Sequence, residues 1–316
     1  QVGQLAGGGG QVGRAPGGSG SVIGHTPNSS LVVVRMPMDP AHLAAALCPP
    51  RGRYAVVEVH DRLDSTNLRA AQLATAYAVV VAESQTAGRG RLGRHWQSPP
   101  RAAVTVSFTL PLELEEPGWL PLVAGLAVAE TITAQCGLKA TVKWPNDVLL
   151  PEDDHRKVCG VLCEIVSAAC SAGGSAQPDL LVVVGIGLNV DSSRDDLPVP
   201  TATSLALACA SRGQALSTTR EDLVVEIGAR LATLAEELLS GGQTAAAVRT
   251  AYRERCSTIG ARVTVALPGG EHVAGTATAV TDEGSLVVVT ADGERTFSAG
   301  DVAHVRPTAA DLPGLA

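Results

Sequence analysis

The sequence predicts an α+β protein in which a larger mixed domain precedes a small all-β domain. Two observations support this prediction. Up to about residue 256, apolar runs of strand length alternate with longer Ala- and Leu-rich stretches that have helical periodicity. Beyond Gly260, short β-branched runs follow one another, separated by turn pairs such as Asp292-Gly293. We therefore expect the larger domain at residues 36–257 and a β-barrel of SH3-like size at residues 258–307.

The two ends of the chain have a different composition. Residues 1–35 are rich in glycine and lack apolar periodicity, which predicts disorder because such a segment buries too little surface to offset its ordering entropy. They lack the basic start and apolar centre of a signal peptide. We expect the natural chain to start near Met36 or Met38, which N-terminal sequencing of the native protein would test. Residues 308–316 form a second tail.

Composition narrows the function class. The net charge of −7 argues against a general nucleic-acid-binding protein, which needs a basic face, so no DNA partner is expected. The seven cysteines are scattered without C-x-x-C spacing, as expected for buried thiols in a reducing cytoplasm. Glycine or charge interrupts the apolar runs before they reach membrane-spanning length, so a soluble protein is expected.

Local patterns define the elements in chain order. Valine runs indicate buried strands, and Gly137 is a plausible stop for the longest helix. In the larger domain the predicted elements are helix 40–47, strand 54–59, helix 68–76, strands 78–82 and 103–110, helix 119–136, strands 140–144, 148–150, 157–166 and 180–190 with a hairpin loop at 172–178, and helices 201–210, 220–239 and 244–256. In the smaller domain they are strands 263–267, 273–280, 286–290 and 295–298, to which residues 300–302 return.

A loop rich in glycine and arginine, Glu83–Trp96, organises the larger domain. It follows a buried strand and contains three glycines and three arginines, with too few apolar residues to pack by itself. Glycine allows close backbone approach, and arginine offers planar donors to carboxylate and phosphate oxygens. Such a loop is suited to closing over an anion. Gly88, Gly90 and Gly93 also fit G-x-G-x-x-G, but no helix starts at the third glycine, so the dinucleotide-binding interpretation is weak.

Four further segments combine ordinary structural residues with candidate site residues. Asp64–Asn67 has the composition of a helix N-cap, and Pro145–Asp147 that of a turn. Lys157 starts a strand, where an exposed lysine is usually only solvated. Alternation along that strand predicts Val161 on the face of Lys157 and Gly160 on the opposite face. The glycines of Gly185–Asn189 indicate either close backbone approach to a ligand or a bulge without one.

These segments together resemble the biotin protein ligases. The motifs Asp64–Asn67, GRGRLGRHW at 88–96, KWPND at 143–147, KVCGVL at 157–162 and GIGLNV at 185–190 occur in family order and span roughly residues 54–305. The resemblance implies a mixed-sheet, class II synthetase-like catalytic domain with an SH3-like C-terminal domain. It also implies ATP and biotin as substrates, Mg²⁺, and a biotin carboxyl carrier domain with an acceptor lysine as partner. A cytoplasmic monomer or weak homodimer is expected.

The resemblance assigns roles to residues at matching positions. Arg91, Lys157 and Asp147 are the expected catalytic residues. Asp147 would act either through Mg²⁺ or on the incoming amine. The expected biotin-binding residues are Ser65, Thr66, Asn67, Gln85, Arg89, Gly90, Arg91 and Lys157. The expected nucleotide-binding residues are Arg94, Trp96, Lys143, Asn146 and Asn189.

The same residues favour one type of chemistry. They donate to phosphate and carboxylate, and no Ser-His or Cys-His pair accompanies them, so a covalent protein intermediate is not expected. Cations that bring two anions together suit the joining of a carboxylate to a nucleotide. The rival interpretations are a lipoate ligase or octanoyl transferase, a biotin-sensing DNA repressor, and a non-catalytic biotin binder. The first pair lacks a GRGR loop. The repressor needs a helix-turn-helix domain before Tyr54, and the binder would not need Lys143, Asp147 and Asn189 together.

Overall fold

A computed structural model describes residues 35–113, 117–167, 179–267, 270–298 and 300–304. The predicted tails, apart from Arg35, and the predicted hairpin loop at 172–178 lie outside the described residues. The helices are α1 Pro40–Leu47, α2 Thr66–Leu73, α3 Leu120–Cys136, α4 Leu205–Ser211, α5 Arg220–Leu239 and α6 Gly242–Arg255. The strands are β1 Val56–His60, β2 Ala78–Ala82, β3 Ala103–Pro111, β4 Thr141–Lys143, β5 Asp147–Leu150, β6 Arg156–Ser167, β7 Leu180–Asn189, β8 Arg262–Ala266, β9 His272–Val280, β10 Leu286–Thr290, β11 Gly293–Phe297 and β12 Asp301–His304.

The first seven strands form one mixed sheet in the order β1-β2-β3-β7-β6-β5-β4. Only the β1–β2 pair is parallel, and the other five pairs are antiparallel. Its central strands are buried on both faces, as their near-continuous valine runs predicted. Val79 and Val81 belong to the main core, whereas Val80 packs against Ala70 of α2 on the other face.

Helices α3, α5 and α6 pack on the main-core face of this sheet. Most of α3 is buried, and it ends at Gly137, which adopts the left-handed conformation with φ 64°. By length and hydropathy the helical stretch Pro117–Cys136 would suffice to cross a membrane. However, 67% of its most apolar window lies inside the protein, as in a core helix. Helix α5 begins with a capping box formed by Thr219 and Asp222.

The last five strands form a separate antiparallel sheet in the order β11-β10-β9-β8-β12. Two tryptophans of the larger domain anchor its 282–284 turn. Trp119 Nε1 donates to the Asp282 carbonyl at 2.6 Å, and Trp144 Nε1 donates to the Gly284 carbonyl at 3.0 Å. These bonds hold the second sheet beside the strands that carry the candidate site.

The predicted elements agree with the structure apart from their ends. One shift affects the site. The helix predicted at 201–210 begins only at Leu205, because Ser204 is its N-cap and the preceding residues pair with β6. The α+β class and the change to an all-β segment are confirmed.

Candidate active site

A cavity of about 1610 Å³ opens on the sheet face that carries α2. Both sheets line it. All fourteen candidate residues lie on its wall: Ser65, Thr66, Asn67, Gln85, Arg89, Gly90, Arg91, Arg94, Trp96, Lys143, Asn146, Asp147, Lys157 and Asn189. Segments that are far apart in sequence therefore meet in one place.

Glycines make the floor of the cavity flat. Thr105, Gly187 and Gly160 lie in register on β3, β7 and β6, and Gly160 is also paired with Asp147 of β5. A Cβ on Gly187 would lie 2.4 Å from the Trp96 indole, so only glycine lets the indole rest there. The register shows no bulge at Gly187, and the group that approaches this glycine is the Trp96 indole of the chain itself.

The arginine loop folds over this floor as a narrow hairpin. The Gly90 N–H donates to the Arg94 carbonyl at 2.7 Å, and the Trp96 N–H donates to the Gly88 carbonyl at 2.9 Å. Leu92 lies at the tip with φ 55° and is 65% exposed. The chain continues in an extended conformation after the third glycine, so no helix N-terminus is available for a dinucleotide.

Two arginines fasten the hairpin to the protein. Arg89 forms an ion pair with Glu164 of β6. Arg91 donates through Nη1 to Asn146 Oδ1 at 3.0 Å and through Nη2 to the Gly300 carbonyl at 3.1 Å. The loop is thus held to the large sheet and, through Gly300, to the chain entering β12.

The start of α2 supplies one polar side of the cavity. Ser65 is the N-cap of the helix, and its hydroxyl accepts from the Leu68 N–H at 3.5 Å. Ser65 also lines the cavity, so the residue that caps the helix faces the candidate site as well.

Thr66 and Asn67 are nearly buried and belong to a connected polar cluster. Gln85 Oε1 accepts from the Thr66 N–H at 2.8 Å and from the Thr66 hydroxyl at 3.2 Å. Asn67 Nδ2 donates to Glu164 at 2.7 Å, and the Ser107 hydroxyl lies 2.7 Å from Asn67 Oδ1. The cluster fixes which polar atoms face the cavity before any ligand arrives.

Two lysines flank one carboxylate on the opposite side of the cavity. Lys157 Nζ lies 2.6 Å from Asp147 Oδ1, and Lys143 Nζ lies 4.0 Å from Asp147 Oδ2. The sequence contains lysine only at positions 139, 143 and 157, so two of its three lysines lie here. This cationic side is suited to binding anions.

The predicted orientation of Gly160 was wrong. The pairing of β6 with β5 shifts after Lys157, which makes Val158 the extra residue of a bulge. A Cβ on Gly160 would lie 3.0 Å from Lys157 Nζ, so the two positions share the cavity face. Strict alternation had placed them on opposite faces, and one extra residue reverses that parity.

His304 brings the small sheet into the cavity wall. The buried Thr258 hydroxyl accepts the Trp144 N–H at 3.0 Å and also shares a hydrogen bond with His304 Nε2 at 3.0 Å. The contact ties β12 to the turn that presents Asn146.

The surroundings keep this ring neutral. Burial, with Lys143 and His155, lowers the pKa of His304 from 6.5 to about 4, while Asp147 opposes the shift. The unfolded chain binds a proton near pH 6.5 that the folded chain does not take up until about pH 4. Stability therefore falls as pH drops through this interval and levels off below it.

Replacing His304 by glutamine should remove this pH dependence. Between pH 7 and pH 4.5 we expect the melting temperature of the wild type to fall by about 2–4 °C more than that of His304→Gln, a modest change because solvent reaches part of the ring. Thermal melts of both proteins across this range measure it. Parallel curves would show that His304 does not titrate in this way.

The thiols nearest the site are not nucleophiles. Cys159 and Cys163 lie on β6, and burial raises the pKa of both, that of Cys163 to about 12. Neither is a thiolate at neutral pH. This agrees with chemistry in which the protein forms no covalent intermediate.

Four residues of the site or its supporting shell were not singled out from the sequence: Thr105, Ser107, Glu164 and His304. Glu164 had a detectable signal, because it is a charge inside an otherwise apolar strand pattern. The others carried none, since a hydroxyl in a strand and a histidine near the chain end are common.

Known proteins share this architecture. Residues 59–177 match the Biotin/lipoate A/B protein ligase family, and residues 258–305 match the Biotin protein ligase C terminal domain. A biotin–[acetyl-CoA-carboxylase] ligase of Mycobacterium tuberculosis is 35% identical over 287 residues, covering 86% of this chain and 98% of that protein. Fold and site thus define a ligase of the biotin/lipoate class.

Solved structures agree. A biotin protein ligase from Aquifex aeolicus in complex with biotin and ATP is 26% identical with a TM-score of 0.65, covering 80% of this chain and all of that one. One from Leishmania major in complex with biotinyl-5-AMP is 27% identical with a TM-score of 0.52 at the same coverage. This chain belongs to the biotin protein ligase family. The expected mixed-sheet catalytic fold with its C-terminal domain is confirmed.

Proposed function

We propose that this enzyme activates biotin with ATP to give biotinyl-5′-AMP and then transfers the biotinyl group to one lysine of a carrier domain, such as that of acetyl-CoA carboxylase. The observation that supports this most directly is the convergence of the arginine hairpin, two lysines and two asparagines in one cavity. Such a set suits two anionic substrates. The names of the related proteins supply biotin, ATP and the acceptor.

Biotin would occupy the α2 side of the cavity. There Ser65, Thr66 and Asn67 face Gln85, and hydroxyl and amide groups suit the ureido ring of biotin. Arg89 and Gly90 would cover it from the hairpin. The biotin carboxylate would then point to Lys157 and Arg91, two cations that line the same cavity.

The nucleotide would occupy the side lined by Lys143 and Asn189. Arg94 and Lys143 would contact phosphates, and Trp96 would pack against the covered ligand. Asn146 and Asn189 would hydrogen-bond the nucleotide. Both amides are already oriented, because Asn146 Nδ2 donates to the Val161 carbonyl at 2.8 Å and Asn189 Nδ2 donates to the Thr203 carbonyl at 3.0 Å. Their oxygens are left to accept from the ligand or from Arg91.

The chemistry follows from this placement. A biotin carboxylate oxygen attacks the α-phosphorus of ATP. The bond between this phosphorus and the oxygen that bridges to the β-phosphorus breaks, and pyrophosphate leaves. Lys157 and Arg91 offset the repulsion between the two anions. The neutral amine of the acceptor lysine then attacks the acyl carbon, the bond from that carbon to the AMP oxygen breaks, and AMP and one proton leave as the amide forms. The closed hairpin excludes water, which would hydrolyse the anhydride.

A resident metal ion is not supported by the donor set. Asp147 already contacts two lysines, and among the described residues no group of three or more acidic, His or Cys side chains is arranged to hold a metal. We therefore propose that Mg²⁺ enters with ATP as part of the substrate, held chiefly by phosphate oxygens. Asp147 would then set the position of the lysines or receive the incoming amine.

The setting of the enzyme is proposed from the sequence and the family. We propose a cytoplasmic ligase, monomeric or weakly dimeric, whose macromolecular partner is the carrier domain and neither DNA nor a membrane. The acidic net charge of −7 agrees with the absence of a DNA-binding role.

Mass analysis of a carrier domain tests the function. The chain is incubated with biotin, MgATP and the carrier, which should gain the mass of one biotinyl group. A carrier whose acceptor lysine is replaced by arginine should gain none. Lipoate in place of biotin, and omission of ATP, separate the rival ligase and transferase activities. Failure of the folded chain to exchange pyrophosphate into ATP with biotin present would contradict the proposal.

Gly185 should be required for full biotin affinity. A Cβ there would lie 2.0 Å from Asn67 Oδ1, so Gly185→Ala must displace the Asn67 amide from the cavity wall. Overpacking of this kind costs about 1–3 kcal/mol, and we expect roughly 10- to 100-fold weaker biotin binding by calorimetry. Gly125→Ala is the control, because its Cβ would meet only Val142 at 3.6 Å. Biotin affinity within about twofold of wild type for Gly185→Ala would refute this role.

A further inference from the structure

Asp153 is a nearly buried carboxylate outside the set of proposed substrate contacts. It is 8% exposed and ends the short turn between β5 and β6. Arg156 Nη1 donates to it at 2.7 Å, Arg194 Nη2 donates at 3.0 Å, and the fully buried Thr203 hydroxyl donates to its second oxygen. A buried charge is costly unless it is paired, and these three donors supply the pairing.

Thr203 belongs to a segment that contacts both halves of the cavity. The Lys157 N–H donates to the Thr201 carbonyl at 2.8 Å, and the Thr203 N–H donates to the Lys157 carbonyl at 2.8 Å. The segment therefore pairs with the backbone of Lys157 at the bulge. The Thr203 carbonyl also accepts from Asn189 Nδ2 at 3.0 Å. One short segment thus fixes the backbone of Lys157 and the side-chain amide of Asn189.

We propose that Asp153 is a positioning residue that, through Thr203, sets the spacing between Lys157 and Asn189 and so aligns the biotin carboxylate with the α-phosphate. The inference rests on the proposed function. It adds a group of residues that lies outside the sequence motifs. This group comes from three separate stretches of the chain and consists of Asp153, Arg156, Arg194 and Thr203. It contacts the motif residues Lys157 and Asn189 through the segment of Thr203.

The ionisation of Asp153 agrees with this arrangement. Burial raises its pKa, but the Thr203 hydroxyl and the Arg194 and Arg156 guanidinium groups outweigh burial and hold the pKa below its usual value. The carboxylate therefore stays charged at neutral pH and retains all three partners.

Kinetics of two variants at Thr203 test the inference. Thr203→Val removes the hydroxyl but keeps the backbone contacts, whereas Thr203→Ser keeps both. In biotin-dependent pyrophosphate exchange we expect Thr203→Val and Asp153→Asn each to raise KM for ATP about 10-fold and to lower kcat about 10-fold, with Thr203→Ser within about twofold of wild type. The Asp153→Asn/Thr203→Val double variant should lose little more than either single variant, because both remove one link.

Glu130→Gln is the matched control. Glu130 lies on α3 away from the cavity and, like Asp153, is a carboxylate near two guanidinium groups, Arg230 at 3.3 Å and Arg255 at 3.6 Å. It should change stability but neither kinetic constant.

Thermal melts separate positioning from folding. If Thr203→Val and Asp153→Asn melt lower but keep wild-type KM and kcat per folded molecule, Asp153 is only structural and the inference is wrong. Equal defects in Thr203→Ser and Thr203→Val would also overturn it, because the hydroxyl would not be the link. If wild-type enzyme itself shows no exchange, the proposed function fails, and the inference falls with it.

Discussion

Replacing Lys157 by alanine is expected to slow adenylate formation about 10³-fold. Lys157 Nζ lies 2.6 Å from Asp147 and shares the cavity face with Gly160, where the two anions would meet. In the proposed mechanism this cation would stabilise the charge that develops as the carboxylate attacks phosphorus. Its loss also leaves the Asp147 carboxylate without its nearest partner, which adds repulsion toward both substrates.

Single-turnover measurement of biotinyl-AMP formation tests this expectation. Lys139→Ala is the matched control, because Lys139 is exposed, lies outside the cavity and undergoes the same change. It should stay within about twofold of wild type. The double variant Lys157→Ala/Asp147→Asn separates the two effects, since it removes the cation without leaving a free carboxylate. Partial recovery would assign part of the loss to repulsion by Asp147.

A fall of less than about tenfold in Lys157→Ala would contradict the role given to this lysine. The alternative cation to test would then be Lys143. Lys143 lies 4.0 Å from the same carboxylate and is the other lysine of the cavity. If Lys143→Ala had the larger effect, the proposed placement would have to be reversed. The biotin carboxylate would then lie near Lys143 and the ATP phosphates near Lys157.

Much of this site could be predicted because its residues occur in short motifs whose chemistry is local. The N-cap at Ser65 and the glycine hairpin depend on the residues next to them in sequence. The same holds for the strand boundaries, which follow apolar runs. Where structure depends on near neighbours, the sequence carries the information.

The other features of the site depend on contacts between strands that are far apart in sequence, and periodicity cannot show such contacts. The bulge at Val158 places Gly160 on the opposite face from the one predicted. The sequence of β6 gives no sign of this extra residue, because Val158 is one of several valines and cysteines in the strand. Glu164 and Ser107 join the cluster of Asn67 only because β6, β7 and β3 are neighbours in that register. The partners of Asp153 likewise come from positions 156, 194 and 203, and no spacing rule links them.

Replacing Arg91 by glycine is expected to speed release of biotinyl-AMP about 100-fold. Arg91 fastens the hairpin by bonds to Asn146 at 3.0 Å and to the Gly300 carbonyl at 3.1 Å. Hydrogen bonds from charged donors contribute about 1.5–3 kcal/mol, so their loss should open the hairpin far more often. The mixed anhydride then escapes before the acceptor arrives.

Bystander labelling measures the escape. The chain itself is a poor reporter, because Lys139 is its one lysine outside the cavity. A lysine-rich protein without a carrier domain should therefore be added, and its biotin content compared between wild type and variant. Rapid gel filtration of preformed complex gives the release rate directly, since retained adenylate elutes with the protein.

Leu92→Gly distinguishes fastening from flexibility. It places a glycine next to Arg91 in the same hairpin, at a residue that is 65% exposed and already has φ 55°, and it leaves both bonds of Arg91 in place. If Arg91 acts as a fastener, Leu92→Gly should retain adenylate as the wild type does. Equal release by both variants would mean that backbone freedom governs opening, and retention by Arg91→Gly would mean that the Arg89–Glu164 pair holds the hairpin without it.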